Sequence, residues 1–476
     1  MKRIKLFLIG ICIIAVGTLY AQSTTDVPDL TQIKELIRTN PSQASIEIRQ
    51  LLKGKNRKNP ELLSAIGHAY LDSRNTSEAE NYLKWAKKTN NKVSAVYMLE
   101  GAIALLRNDV GVACQAYEQA IYFDANNKEA YFKYAQVYKN INPAQAIDKL
   151  TELKQLDPSS IEVDRALAGV YYSNNRFEEA AEVYSRFINS PEITEDDLIS
   201  YAFTLFLNHD FEKSLQVSNM GLQRNKLNPA FNRLVMYNDV DLKRFDEALE
   251  AADNFFNHSE NPEFSYLDYL YYGHLLNAVK NYDEAIAQYH KAMELDATRN
   301  LWHEISEAYE RKGNYKLAIN AYKRYDGQLS DDMKTLDTRF QLAKLYYGEG
   351  TASDSINITK AEKITALQTA DSIFAIIINE APDSYLGTFW RARANSALDP
   401  ETTQGLAKSY YETVANLLES KNDINRYKSP LIECYSYLGY YYLVANMIPE
   451  SKEYWNKIIL IDPENNTAQK ALEGIK

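Results

Sequence analysis

His303 and Glu304 come nearest to a catalytic motif. A helix carrying His-Glu-x-x-His sets two imidazoles on one face to hold zinc, with a carboxylate beside them to take a proton. The place of the second imidazole is filled by Glu307, so the ligand pair is missing. Gly348, Gly350 and Ser353 form an incomplete Gly-x-Gly-x-x-Gly, and they follow a helical segment where a dinucleotide fold requires a strand. The sequence contains neither Cys-x-x-Cys nor Gly-x-Ser-x-Gly, which redox, metal and acyl-transfer sites use. Six His scattered along the chain read as surface or interhelical hydrogen-bonding groups. The expectation is a chain with no catalytic site, metal or cofactor, whose work is binding.

The elements that carry these residues read as helices. Seventeen Gly and 13 Pro in 476 residues are too few for the turns of a many-stranded β fold. A composition 45% hydrophobic and 25% charged belongs to a chain able to bury a core. Tyr, with 36 copies against 4 Trp, suits helix faces that are half buried, having an apolar ring and a wet hydroxyl.

Self-similarity runs through almost the whole sequence. Small residues recur at Gly67, Gly101, Ala135, Ala168, Ala202, Val235, Gly273, Ser306, Ala343, Ala392 and Gly439, the first five intervals being 34, 34, 33, 34 and 33 residues. A second series keeps the same period at Ala79, Ala113, Ala146, Ala180, Ser214, Ala248, Ala285, Ala318, Ala370, Ala407 and Ser451. In the last unit Tyr435, Leu438, Gly439 and Tyr442 are followed by Ser451, Trp455, Ile458 and Pro463. Another unit carries Tyr269, Tyr272, Gly273, Leu276, Ala285, Tyr289 and Ala292, and a third Trp302, Ile305, Ser306, Tyr309, Ala318 and Tyr322.

These units resemble the tetratricopeptide repeat. The resemblance implies an all-α solenoid, a right-handed superhelix of about eleven antiparallel helix pairs, each covering the bare face of its neighbour. Residues 22–59 read as a degenerate helix pair that caps the array, 60–348 as about eight repeats, and 370–476 as further units with a polar closing segment. Residues 349–369, including GEGTASDSINITK, read as an enlarged exposed loop within a repeat, with Ala361 onward as the place for a short extra helix. A smaller expansion falls at Asp399 to Gly405, and a polar link at Ser420 to Ser429.

Lys2, Arg3 and Lys5 precede an apolar run from Leu6 to Val16, with Ala21 before polar residues. This is the pattern of a secretory signal peptide over 1–21, and it predicts a periplasmic or secreted chain, soluble or associated with the outer membrane. Cys12 is poorly placed for lipidation because Ile11 before it is not small. Loss of the three cations takes the formal charge from -11 to -14, which repels phosphate backbones, so nucleic acid is not an expected partner. No later segment is long and apolar enough to span a bilayer. Cys114 and Cys434 lie too far apart in the array to pair.

Ligands of this family usually lie in the concave groove lined by the first helix of each pair. The phase of the small residues puts Phe132, Gln136, Arg165, Tyr172, Phe203, Phe206, Asn232, Met236, Leu270, His274, Asn277, Glu307, Lys344, Tyr347 and Arg393 on or near it. Some members hold carboxylates with a clamp of Lys, Asn and Arg, but Ser64 and His68 stand at the corresponding places of the first full unit. The resemblance therefore implies a protein-binding scaffold, with partners expected in the cell envelope. The rival reading is a glycan- or nutrient-binding protein of the envelope built on a similar helical frame. Short acceptors of the kind used in some bacterial O-glycosylation systems stand at Asp354-Ser355-Ile356 and Asp371-Ser372-Ile373.

Overall fold

The computed structural model describes residues 28–353 and 358–475. The expected signal peptide over 1–21, Cys12 and the first acceptor triplet lie outside these. The described residues form 25 α-helices and no strand, divided between two compact units that end at Gly221 and begin at Leu222. The first unit holds α1 (Thr31–Thr39), α2 (Pro41–Leu51), α3 (Pro60–Asp72), α4 (Thr76–Thr89), α5 (Ser94–Leu106), α6 (Val110–Phe123), α7 (Lys128–Tyr138), α8 (Pro143–Leu156), α9 (Ile161–Ser173), α10 (Phe177–Ser185) and α11 (Glu195–Leu207), and the division falls near the end of α12 (Phe211–Arg224). The second holds α13 (Pro229–Asp241), α14 (Phe245–Asp253), α15 (Tyr266–Ala278), α16 (Tyr282–Leu295), α17 (Trp302–Arg311), α18 (Tyr315–Gln328), α19 (Leu336–Thr351), α20 (Lys360–Glu380), α21 (Tyr385–Leu398), α22 (Lys408–Ser420), α23 (Ile424–Val444), α24 (Ile448–Ile461) and α25 (Asn466–Gly474).

Local chemistry starts and stops these helices. Asn59 accepts a hydrogen bond from the Leu62 amide and Pro60 supplies the preset φ of a first turn, so α3 begins there. It ends where Arg74 takes a φ of 59°, a left-handed residue that turns the chain into α4. The same left-handed turn recurs at Asn108, Asn175, His209, Lys243, Lys280, Gly313 and Asn446. Within each pair the first helix packs on the second, and first helices also touch across pairs, as α3 does with α5 and α13 with α15.

The two small-residue series sit at these contacts. Ala79, Ala113, Ala146, Ala180, Ala248, Ala285, Ala318, Ala370 and Ala407 are all 0% exposed, which leaves no room for a larger side chain. Where Ser replaces Ala, its hydroxyl bonds a facing carbonyl: Ser214 Oγ donates to Ala202 O and Ser451 Oγ to Gly439 O, each at 2.7 Å. A Cβ on Gly273 would stand 2.5 Å from the Tyr289 ring, and one on Gly439 2.7 Å from Trp455. Helices α1 and α2 add Ile33, Ile37, Ala44 and Ile48 to the core around Leu62, Leu63 and Ile66.

Of residues 349–369, 349–351 close α19 and 360–369 open α20, the latter where an extra helix is expected from Ala361, so the described residues outside helices are 352–353 and 358–359. Helix α19 continues to Thr351, and α20 starts at Lys360 under a capping box in which Thr359 and Glu362 exchange hydrogen bonds. Gly350 lies against the Leu367 side chain, so these two ends of the span pack on each other. The polar link at Ser420 to Ser429 likewise contracts, since α23 begins at Ile424 with Asp423 as its cap and carries Pro430 inside it. Between α21 and α22 the buried Asp399 carboxylate accepts the amides of Thr403, Gln404 and Gly405, which fixes the expansion there as an ordered turn.

Candidate binding faces on the first helices

Most first helices carry their small residue eight positions after the N-cap: Gly67 follows Asn59, Gly101 Val93, Ala135 Asn127, Ala168 Ser160, Ala202 Thr194, Gly273 Ser265 and Ala392 Ser384; Ser306 stands five after Leu301 and Gly439 sixteen after Asp423. In that register most of the expected groove residues fall five, nine or twelve positions after the cap. Glu307 stands six after Leu301, and in α13 the expected residues fall at four and eight. The α13 cap is Asn228, so Met236, not Val235, holds the small-residue position. Asn232 and Met236, expected on the groove, therefore lie one residue out of phase with the other helices. Both are buried, Met236 completely, and Asn232 Nδ2 is bonded to Lys226 O and Ser259 Oγ. The residues in phase are Arg233 and Tyr237.

Arg233 shows what the fifth position does. Its Nε lies 2.7 Å from Asp268 Oδ1, and Tyr237 Oη donates to the same oxygen at 2.7 Å. Asp268 is wholly buried at the third residue of α15, where it also accepts from Ser265. Arg165 does the same in the first unit, with Nε and Nη2 on Asp197, the third residue of α11. Arg165 thus joins two first helices.

Three faces remain. In the first unit Tyr172 and Phe203 have ring centroids 6.4 Å apart, Phe203 and Phe206 6.2 Å, and Phe177 and Phe211 adjoin them at 5.7 Å from Tyr172 and Phe206. All five rings are half-buried. Phe132 is half-buried and Gln136 exposed on α7. In the second unit Leu270 is half-buried against the core of α15 to α17, His274 is exposed, Asn277 is buried, and Glu307 is half-buried, 3.8 Å from Arg311.

The third face gathers Lys344, Tyr347 and Arg393 around Trp390. The Arg393 guanidinium sits 4.7 Å from the indole centroid and the Lys344 ammonium 5.9 Å, while the Tyr347 ring meets it edge-on at 5.3 Å. Arg393 is held by Glu433, with Nε to Oε1 at 2.7 Å and Nη2 to Oε2 at 2.6 Å, and Tyr411 Oη donates to the same carboxylate at 3.2 Å. Its bonds to Glu433 raise the guanidinium's pKa further, and burial raises the Tyr347 phenol. An open cavity of about 510 Å³ is bordered by Tyr347, Arg393, Ser396, Pro400, Tyr411 and Glu433. Trp390, Tyr411 and Glu433 escaped the sequence reading. Glu433 could have been sought as an acid one first helix beyond a fixed Arg, the relation Arg165 has to Asp197.

His303 is set among the rings of Tyr322 and Tyr325, and Gly348 and Gly350 belong to a helix. Among the described residues no group of three or more His, Cys, Asp or Glu could hold a metal ion, and no helix is long and apolar enough to cross a membrane.

Residues 64–130, 129–160 and 300–326 each match a family described as tetratricopeptide repeat. The chain is a tetratricopeptide repeat protein. Solved structures similar to this tetratricopeptide repeat protein include the C-terminal part of a TPR repeat-containing protein from Cytophaga hutchinsonii, 28% identical over 58% of this chain and 99% of that one, with a TM-score of 0.46. A tetratricopeptide repeat protein from Parabacteroides merdae is 16% identical over 55% and 98% of the two chains, TM-score 0.37. Pseudomonas aeruginosa pilF is 17% identical over 44% and 96%, TM-score 0.34. No curated protein matches the chain. Repeats of this family bind protein partners and are typically non-catalytic.

Proposed function

We propose that this tetratricopeptide repeat protein is a non-enzymatic scaffold that holds partner proteins of the cell envelope on its first-helix faces. The observation that carries the reading is the row of half-buried rings Tyr172, Phe203 and Phe206, presented by α9 and α11. Aromatic rings with one face still wet are the anchors that protein interfaces favour, since each removes a large area from water at little rotamer cost. The envelope setting rests on the basic and apolar residues from Lys2 to Val16.

The test is affinity capture on the mature chain from envelope extract of its host, read by mass spectrometry beside a Tyr172→Ala, Phe203→Ala, Phe206→Ala variant with unchanged helicity. A defined set of proteins lost from the variant is the expected result. The same set captured by both would remove these rings from the interface, and glycans in place of proteins would favour the nutrient-binding reading.

A further inference from the structure

The first unit gathers cations on one face of a chain that is acidic as a whole. From Ile48 to Pro60 the sequence has five Lys and Arg and no acid, and from Asn81 to Leu99 four Lys and no acid. The fold brings the two stretches together. The first passes from the end of α2 through a single helical turn, Gly54–Lys58, and the Arg57 guanidinium of that turn stands 6.0 Å from the Trp85 ring centroid on α4. Lys84 and Lys88 flank Trp85 in α4 and, four residues apart, share one side of the helix. The backbone of the turn is fixed, with Asn56 Nδ2 donating to Leu51 O at 2.9 Å. Its cations are not: Lys53, Lys55, Arg57 and Lys58 are exposed, as are Lys84 and Lys88.

Of the nine cations, Lys87 alone has a carboxylate partner among the described residues, Glu100 at 2.6 Å. Helix ends explain two more, since Arg49 and Lys88 stand in the last turns of α2 and α4, where the backbone carries partial negative charge. The turn Gly54–Lys58 is too short to have much of a dipole, yet it holds three cations with a fourth at Lys53. An anionic surface from outside relieves the repulsion among them.

Three features choose that surface. Fixed carboxylates in this chain are met by held Arg forks, Arg165 on Asp197 and Arg393 on Glu433. Six of the eight unpaired cations here are instead Lys, mobile point charges that suit headgroups free to diffuse toward them. Trp85, half-buried, adds an amphipathic ring of the kind that settles at headgroup depth. The apolar run ending at Val16 lies 12 residues before Pro28, so a bilayer holding that run before cleavage is within about 40 Å of Pro28. The net charge of -11 repels such a surface at long range, but screening over about 8 Å at physiological salt lets the nearest charges decide.

We propose that this basic face, made by the turn Gly54–Lys58 and the Lys84–Lys88 side of α4, docks the protein on an anionic phospholipid surface. Such docking is independent of the scaffold reading, since it uses none of the first-helix rings.

The test sediments the mature chain with vesicles of phosphatidylcholine alone and of phosphatidylcholine with phosphatidylglycerol, two to one, at low and at physiological salt. Binding to the anionic vesicles only, weakened by salt, is the expected result. Each cation near such a surface is worth about fivefold in partition, so a Lys53→Gln, Lys55→Gln, Lys84→Gln, Lys88→Gln variant should bind at least about tenfold more weakly. A control with Lys226→Gln, Lys360→Gln, Lys421→Gln and Lys470→Gln has the same net charge and should stay within about twofold of wild type. All eight sites are exposed, and thermal unfolding shows that both variants keep the fold. Equal binding to the two kinds of vesicle, no binding, or an equal loss in both variants would overturn the proposal. So would tight binding of poly-glutamate that anionic vesicles fail to displace, which would make an acidic protein segment the occupant.

Discussion

Arg165 and Asp197, 32 residues apart in sequence, lock one first helix to the next through three contacts of 2.8 to 3.0 Å. Arg165 Nη2 also reaches the Glu192 carbonyl at 2.8 Å, so a single side chain secures both the capping box of α11 and the loop leading into it. Replacing Arg165 by Leu strands a carboxylate that is only 6% exposed. Part of the guanidinium is in water, so the expected loss is about 2 kcal/mol, below the value for a fully buried pair. Burial raises the Asp197 pKa, but Arg165 and Thr194 together bring it below the ordinary carboxylate value. A lowered acid gives stability that is full above its unfolded pKa and disappears as pH falls through the folded one. In Arg165→Leu burial prevails, and acid unfolding should begin at higher pH. Urea unfolding at pH 7 and an acid titration followed by circular dichroism check both expectations.

How much of this the sequence could tell is visible in α11 and α13. The small residues give the repeat, because stacked helices leave no space at those sites and the constraint recurs with each unit. They also give the phase wherever the residue is truly small. In α13 the site holds Met236, the eye settles on Val235, and the two groove residues named there move into the core. Partners are harder to read than positions. Arg165 is visibly on the first helix, yet nothing local says that Asp197 will take its fork, since the ion pair exists only once two repeats stack. In 349–369 the Gly, Ser and Thr have loop composition, yet Gly350 sits inside α19 against Leu367, while α20 begins at Lys360, beside the Ala361 start expected for a helix.

The left-handed turns between paired helices hold residues with side chains at Arg74 and Lys243, whose φ values are 59° and 60°. Outside glycine this conformation costs about 1 kcal/mol. Both side chains are exposed, so little contact is lost on removing them. Arg74→Gly and Lys243→Gly should each stabilise the fold by about 0.5 kcal/mol, after the extra chain entropy of glycine in the unfolded state is subtracted. The two sites are in different units, and their effects should add. A fall in urea midpoint in either variant would contradict the strain argument.

His68 faces low pH poorly. Burial is the chief cause of an imidazole pKa of about 4, with Lys34 and Lys133 acting in the same direction and Asp72 against them. The unfolded chain takes up that proton near pH 6.5. Between these values the unfolded state holds more protons, so stability falls as pH drops from about 6.5 to about 4 and is flat in this respect below. The loss can reach about 3 kcal/mol. His68→Gln should flatten that part of the profile, measured as urea midpoints at pH 7, 5.5 and 4. A neutral His68 at pH 7 also cannot serve as the cation of a carboxylate clamp.

Met236 completes a volume exchange between helices. Gly101, Gly273 and Gly439 each have a large ring sixteen residues on, at Tyr117, Tyr289 and Trp455, and each ring occupies the space that a Cβ on the glycine would need. Sixteen residues after Met236 stands Ala252, 1% exposed. Bulk that other repeats place on the second helix is here on the first, and the summed volume is kept. Met236→Ala should therefore cost about 3 kcal/mol by opening a cavity, and Ala252→Tyr alone should overpack by about 1–3 kcal/mol. Combined as Met236→Gly with Ala252→Tyr, the pair adopts the arrangement of Gly273 and Tyr289 and should recover most of the loss. The coupling, read from a double-mutant cycle of urea unfolding, is expected to be at least about 1 kcal/mol in favour of the double variant. Additive losses would show that Met236 merely fills a gap of its own.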